Sequence, residues 1–361
     1  MIPLLRPSMT DRELAAVQEV LASGWLGNGP ICERFERKLA ERYGYRHCIT
    51  TNSATAALHL ACKVAGVGPG DEVIVPALTF ISTALAVSYC GAKPVFADVR
   101  ADTLCIDANS VCDCWNDKAK MFIPVDYAGY PAASKGNTFE KLIIQDAAHS
   151  CGGIGYGDLV CLSSHPVKPL ATGDGGAILT NVDDWAERLR ALRWCGINAS
   201  TWERTKKRYG WDYDIQEIGY KYHWNDIQAA IGLVQLDRLD EMQSRRREIA
   251  TRYDEQFTAF ARNQGCIPYQ LPINHPKHTW HLYALRVDAT KRDALIDHLL
   301  SKGISAGCHY KPLTYYPMYL DQPTPPVTER EWRRLVSLPI YADMTDIEQE
   351  QVIEAVKEFF V

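Results

Sequence analysis

Six short, uninterrupted apolar runs constrain this chain most: Val73-Ile74-Val75, Pro94-Val95-Phe96, Met121-Phe122-Ile123, Leu142-Ile143-Ile144, Leu159-Val160-Cys161-Leu162 and Ala177-Ile178-Leu179. Each is bounded by Gly, Pro or Asp, or lies close to one. A strand with one wet face alternates apolar with polar residues. A run without alternation suits a strand covered on both faces, as in a mainly parallel sheet layered between helices. Helical patterns separate the runs. Thr10-Asp11-Arg12-Glu13 is a capping box, after which Leu14, Val17, Val20 and Leu21 recur at helical spacing until Gly24. A second helix carries Phe35 and Leu39 and stops at Gly44. Residues Ala54 to Ala65 are apolar nearly all round, which predicts a buried helix. A long helix is expected from Asp226 to about Phe257, with Arg245-Arg246-Arg247 solvated. The strand Leu282 to Val287 and an amphipathic helix over Val352 to Phe359 close the chain. With 361 residues, this reads as α/β with a large domain over residues 1–245 and a smaller C-terminal α/β domain over 246–361.

Composition excludes several classes. The net charge of −5 gives no basic face for nucleic acid. No apolar run is long enough to span a bilayer, and Arg6 and Asp11 follow Met1 too closely for a signal peptide, so a cytoplasmic protein is expected. The twelve cysteines are scattered singly apart from Cys112 and Cys114. They are expected to be reduced and mostly buried, and the Cys112–Cys114 spacing is not that of a metal knuckle, so no metal is expected.

Chemistry concentrates around Lys168. The run Leu162-Ser163-Ser164-His165-Pro166-Val167-Lys168 leads into Gly173-Asp174-Gly175-Gly176, and upstream Leu142-Ile143-Ile144-Gln145-Asp146 ends in an acid followed by Ala147-Ala148-His149. Lysine supplies an amine whose pKa falls readily on burial, which suits capture of an aldehyde. Asp146 stands where a strand ends, the edge at which α/β sheets bind ligands, and an acid there holds a pyridine nitrogen protonated. Its alternative is a helix cap or surface ion pair. His149 either hydrogen-bonds a ring hydroxyl or packs. Asn52-Ser53-Ala54-Thr55-Ala56 opens the buried helix, whose free amides suit a phosphate, although Ser and Thr there are also ordinary caps. Ser163 adds a hydroxyl for the same phosphate. Phe80 follows a strand end and either stacks on a flat ring or joins the core. This set suits pyridoxal 5′-phosphate (PLP), whose ring carries the chemistry while the protein positions it. The glycines of 152–157 lack dinucleotide-loop spacing and lead into a strand, so that reading is rejected.

At these residues the chain resembles the DegT/DnrJ/EryC1/StrS sugar aminotransferases nearly end to end. Ser23-Gly24-Trp25-Leu26-Gly27-Asn28-Gly29-Pro30, Asn52 to Leu58, Gly66 to Pro76, Asp146-Ala147-Ala148-His149, Gly219 to Asp226 and Ser337-Leu338-Pro339 carry the likeness in order. The resemblance implies fold-type I, with a mainly parallel seven-stranded sheet, and a cofactor cycling between PLP and pyridoxamine 5′-phosphate. It makes Lys168 the residue that bonds the cofactor and shuttles the proton, with Asp146 on the pyridine nitrogen, His149 on the hydroxyl and Phe80 stacking. It assigns Ser53, Ala54, Thr55 and Ser163 to the phosphate. It also assigns Lys221 to the phosphate of a partner subunit, hence a homodimer with composite sites. Two segments are shorter than usual for the family: 16 residues separate Gly129 from Asp146 and 18 separate His149 from Lys168, the second consistent with loss of a small hairpin. Asp126 stands where the family usually has histidine.

The implied reaction moves the amino group of glutamate onto the keto carbon of a nucleotide-linked sugar, foremost a 4-keto-6-deoxyhexose. The alternatives are a 3-keto sugar nucleotide, a cyclitol, or a catalytically inactive binding protein of the same fold. Trp25, Asn28, His309, Tyr310 and Lys311 are the substrate-side candidates.

Overall fold

A computed structural model describes residues 1–132, 141–197, 202, 205–206, 208–263 and 269–361. The first of the two shortened segments falls partly outside these residues. Helices α1 (Asp11–Ser23), α2 (Pro30–Tyr43), α3 (Ala54–Val64), α4 (Ser82–Tyr89), α5 (Ala108–Cys114) and α6 (Asp183–Leu192) alternate with strands β1 (His47–Thr51), β2 (Glu72–Pro76), β3 (Lys93–Ala97), β4 (Ala119–Phe122), β5 (Ile144–Asp146), β6 (Leu159–Ser163) and β7 (Gly176–Thr180). The local signals behave as the sequence predicts. Thr10 and Glu13 close a capping box on α1, and Gly24 and Gly44 end α1 and α2 in the left-handed conformation that glycine adopts without strain.

The strands stand in the order β1-β7-β6-β5 and β4-β2-β3. The parallel bridges Phe122–Ile143 and Val125–Asp146 join the two groups into one seven-stranded sheet. Only β7 runs against the others, pairing antiparallel with β1 and β6. The unbroken apolar runs have the expected cause. In β6, Leu159 and Cys161 face the core built with α3, α4 and α6, while Val160 and Leu162 face the core built with α2 and the long helix that follows α6. In β7, Ile178 faces the first core, and Ala177 and Leu179 the second. Both faces are dry, so period-2 alternation has nothing polar to display.

That following helix, α7 (Asp226–Asn263), links the two halves of the chain. Its Asp226 accepts hydrogen bonds from the amides of Gly29 (2.9 Å), Ile31 and Cys32 (3.0 Å), fixing the start of α2. As far as Met242 it packs with the second core, and from Ile249 onward it packs with a third. That third core also takes in β8 (Tyr269–Gln270), β9 (Tyr283–Val287), α8 (Arg292–Ser301), β10 (Leu335–Leu338) and α10 (Asp346–Phe359). The small sheet is antiparallel, in the order β10-β9-β8. The helix α9 (Pro326–Trp332) is anchored by Asp98, which accepts from the amides of Val327 and Thr328.

The arginine run on α7 corrects the sequence reading. Arg246 is buried, with Nη1 donating to the carbonyls of Ile340 (2.9 Å) and Trp280 (3.3 Å). Successive helical residues point about 100° apart, so three arginines in a row cannot all face water on a helix packed this closely. Among the described residues no helix is long and apolar enough to cross a membrane.

Candidate active site

Because β7 alone is reversed, the carboxyl ends of β1, β5 and β6 and the start of β7 meet along one edge of the sheet. Cross-strand pairing sets Thr51 and Ser163 on either side of Gly176. Asp146 ends β5 and Ser163 ends β6. This is the edge at which open α/β sheets bind ligands.

Helix α3 begins there. Ser53 caps it, its hydroxyl accepting from the Ala56 amide at 3.1 Å. The amides of Ala54 and Thr55 precede the first intrahelical hydrogen bond and face outward with the positive end of the helix dipole. Gly176 lets this terminus lie against the sheet: a Cβ on it would stand 2.6 Å from Ala54 N and from Ser53 C and O. Thr55 Oγ1 bonds Ser82 Oγ at 2.7 Å, and the hydroxyl of the buried Ser163 lies two strands from β1. An anion of phosphate size has the chemistry it needs here.

Asp146 is buried. Its Oδ2 accepts from Thr83 Oγ1 at 2.8 Å and its Oδ1 from the Ala148 amide at 3.2 Å. Burial pushes its pKa up, while these two donors and the charge of Lys168 pull it back toward the ionised form. Lys168 follows a turn closed by its own amide on the His165 carbonyl at 2.8 Å. Burial lowers its amine from the ordinary 10.5 to about 8, against the opposing pull of Asp146.

Three imidazoles and a phenol surround that amine. His281 Nε2 lies 3.2 Å from Lys168 Nζ. The His149 and His281 rings are 4.4 Å apart. His149 Nδ1 accepts from the Ala128 amide at 3.2 Å, so its proton sits on Nε2, which donates to Tyr310 Oη at 3.0 Å. His309 Nδ1 bonds Ser337 Oγ at 2.9 Å, and the His309 carbonyl accepts from the Tyr127 hydroxyl. Burial first, and then the charge of Lys168, depresses the pKa of His149, His281 and His309, keeping all three neutral. Phe80 is 54% exposed, its ring 5.9 Å from Tyr310, so a flat ligand can reach its face.

Beneath the site, Asp126 is fully buried. It accepts from Gln145 Nε2 (2.8 Å), Tyr156 Oη (2.8 Å), the Ala132 amide (3.0 Å) and Ser150 Oγ. Burial raises its pKa to about 6, with those donors opposing. Its own amide donates to the Asp146 carbonyl at 3.0 Å, so this carboxylate ties the floor to the end of β5. Between His149 and Lys168 the chain forms β6 and no further hairpin.

The structure thus brings together Lys168, Asp146, His149, Tyr310 and His309, with Ser53, Ala54, Thr55 and Ser163 along the same sheet edge. Lys221 is exposed, its amine 3.5 Å from the centre of the Trp194 ring, and Lys311 lies against Tyr315 and Tyr316. Trp25 and Asn28 sit elsewhere. They line a cavity of about 760 Å³ beside β1, with Arg37, Arg193, Trp194 and His223, which neither Lys168 nor Asp146 reaches. Thr83 and His281 were missed by sequence reasoning. Thr83 looks like an ordinary residue of an apolar helix, and His281 like one that merely precedes an apolar strand.

Comparison with known proteins identifies the family. The model of the DegT/DnrJ/EryC1/StrS aminotransferase family matches residues 7–357. The spore coat polysaccharide biosynthesis protein SpsC of Bacillus subtilis is 37% identical, over 99% of this chain and 96% of that protein. Among solved structures, the aminotransferase TlmJ of Streptoalloteichus hindustanus superposes with a TM-score of 0.90 at 32% identity, covering 100% of this chain and 99% of its own. Spr1654 of Streptococcus pneumoniae, assigned as a sugar aminotransferase, gives a TM-score of 0.90 at 29% identity in its PMP form, covering 99% of each chain. Spr1654 has also been solved in a PLP form.

Proposed function

Given that the chain belongs to the DegT/DnrJ/EryC1/StrS family and is a PLP-dependent sugar aminotransferase, we propose that it carries the amino group of glutamate to the keto carbon of a nucleotide-linked 4-keto-6-deoxyhexose. The observation that carries this reading is the half-buried Lys168, whose amine desolvation pushes down to about 8 beside the Asp146 carboxylate. An ordinary loop lysine is almost wholly charged near neutral pH and so presents little of the neutral amine that bonds an aldehyde.

PLP supplies an aldehyde and an electron-withdrawing ring, which no side chain here provides. The residues fit it. Asp146, which accepts from Thr83 and the Ala148 amide, holds the ring nitrogen. His149, with its proton on Nε2, donates to the ring hydroxyl in the place of Tyr310. Phe80 stacks on the ring. The Ala54 and Thr55 amides and Ser163 take the phosphate, with Ser53 fixing the helix start. Lys168 Nζ, unprotonated in part near neutral pH, takes the substrate's proton and returns it. His309 and Tyr310 wall the side where a sugar enters, and Lys311 stands beside them for the nucleotide. Trp25 and Asn28 then serve a site only through a neighbouring copy of the chain. A homodimer is supported by the exposed Trp211 and Ile218, at 76% and 89%, on the segment preceding Lys221. A monomeric mass in sedimentation at micromolar concentration would remove the dimer from this proposal.

The test is spectroscopic. Native protein with PLP should show a visible band that glutamate bleaches and a 4-keto sugar nucleotide restores, and Lys168→Ala should abolish the band and lower turnover by about a hundredfold or more. An unaltered band in Lys168→Ala overturns the role of the lysine. Restoration by 3-keto sugars or a cyclitol alone overturns the substrate.

A further inference from the structure

Lys168 is held by a residue that the family reading does not assign. We propose that His281 is the positioning residue of Lys168: its imidazole donates Nε2–H to the unprotonated amine and holds it in that state over the site. This rests on the reading of Lys168 as the residue that bonds the cofactor.

The tautomer carries the argument. His281 is 1% exposed, its Nε2 is 3.2 Å from Lys168 Nζ, and its Nδ1 is buried with no hydrogen-bond partner among the described residues. A protonated lysine would donate to Nε2 and force the ring proton onto Nδ1, leaving a buried N–H with no acceptor. A neutral amine accepts Nε2–H instead and leaves on Nδ1 only an unused lone pair. Orphaned buried N–H groups are the rarer defect. The charged imidazolium is excluded as a third state by burial, reinforced by the charge of Arg246. His149 differs, because the Ala128 amide fixes its tautomer from the far side.

The backbone is strained where it presents this ring. Trp280 has φ +51° and Ala128 has φ +56°, left-handed values that non-glycine residues seldom adopt. The two face each other: the His281 amide donates to the Ala128 carbonyl at 2.9 Å, while the Ala128 amide binds His149. Trp280 is locked by its stack on His278, with ring centres 3.9 Å apart. Strain of this kind persists where the surroundings over-determine it, and it clusters at functional sites. Here it delivers two imidazoles to one amine.

The groups facing Lys168 are Asp146 from β5, His149 beyond it, His281 before β9, and His309 ahead of β10, while burial and Asp146 together push the Tyr310 hydroxyl up. Asp146 is the only anion among them. Burial opposes its pull toward the ammonium, and a donor on the amine adds to that opposition.

The test uses protein loaded with pyridoxamine 5′-phosphate, in which Lys168 carries no bond to the cofactor. Trace acetic anhydride labelling across pH, read at the Lys168 peptide by mass spectrometry, gives the midpoint of that amine. Native protein should titrate well below the ordinary 10.5 of a free lysine. His281→Phe should move the midpoint up by about half a unit or more, and His281→Gln, which keeps an N–H donor, should restore it. A midpoint in folded His281→Phe that is unmoved or lower overturns the proposal. Should that variant not fold, the ¹⁵N shifts of the native imidazole decide: a proton on Nε2 supports the proposal and a proton on Nδ1 overturns it. The same labelling in the apoprotein stays readable if cofactor or sugar specificity has been assigned wrongly.

Discussion

Gly176→Ala tests whether the phosphate cradle depends on how closely α3 approaches the sheet. The added Cβ would lie 2.6 Å from Ala54 N and from Ser53 C and O, all of them backbone atoms. Ordinary contact begins near 3.4 Å, so the start of α3 and the first residue of β7 must separate by roughly 0.5–0.8 Å. Overpacking of this size costs about 1–3 kcal/mol. Replacing glycine in a strand recovers about 0.5–1 kcal/mol. The net loss of stability is then about 0–2.5 kcal/mol. The larger effect falls on the ligand, because displaced amides lose about one charge-assisted hydrogen bond, worth about 1.5–3 kcal/mol. That corresponds to at least a tenfold rise in the PLP dissociation constant. Equilibrium dialysis gives the constant and urea denaturation gives the stability. Gly68→Ala is the control, since a Cβ there meets nothing within 4 Å. If Gly176→Ala binds PLP within twofold of its parent and unfolds like Gly68→Ala, the cradle is not built as described.

Thr83→Val removes one of the two donors on Asp146 without changing shape much. The carboxyl, already raised by burial, should rise further once this donor is gone. PLP affinity should therefore fall several-fold, more at about pH 6 than at about pH 8, and equal affinities at both would refute the role of Thr83. Far from the site, burial would raise the pKa of Glu13, but hydrogen bonds from Thr10, Gln235 and Arg238 bring it from its ordinary 4.5 down to about 2. A depressed acid stabilises the fold above its unfolded pKa, and that contribution is lost as the pH falls from about 4.5 toward about 2. The urea midpoint of native protein should drop more between about pH 5 and about pH 3 than that of Glu13→Gln, and parallel drops would refute the assignment.

Asp146, His149, Ser163 and Lys168 were legible because the chain delivers them at or just beyond the ends of two consecutive strands, where an acid after an apolar run and a lysine after a serine turn stand out. The two-faced sheet was legible for the same reason, in the unbroken apolar runs. The reversal of β7 was not, since Ala177-Ile178-Leu179 reads alike in either direction. Thr83 and His281 were hidden because their neighbours in space are remote in sequence. One lies on α4, whose crossover brings it beneath β5, and the other stands before β9 of the smaller sheet. Arg246 was hidden by the periodicity argument applied to three residues as a block. The two misses are connected. Arg246 holds the Trp280 carbonyl, Trp280 turns the backbone left-handed, and His281 follows it toward Lys168. Arg246 also sits beside the expected domain boundary at 245/246, inside the continuous helix α7. The imidazole is thus supplied by the smaller half of the chain and the lysine by the larger. One unbroken helix sets the distance between them, so the site depends on the docking of the two halves as much as on the strand ends.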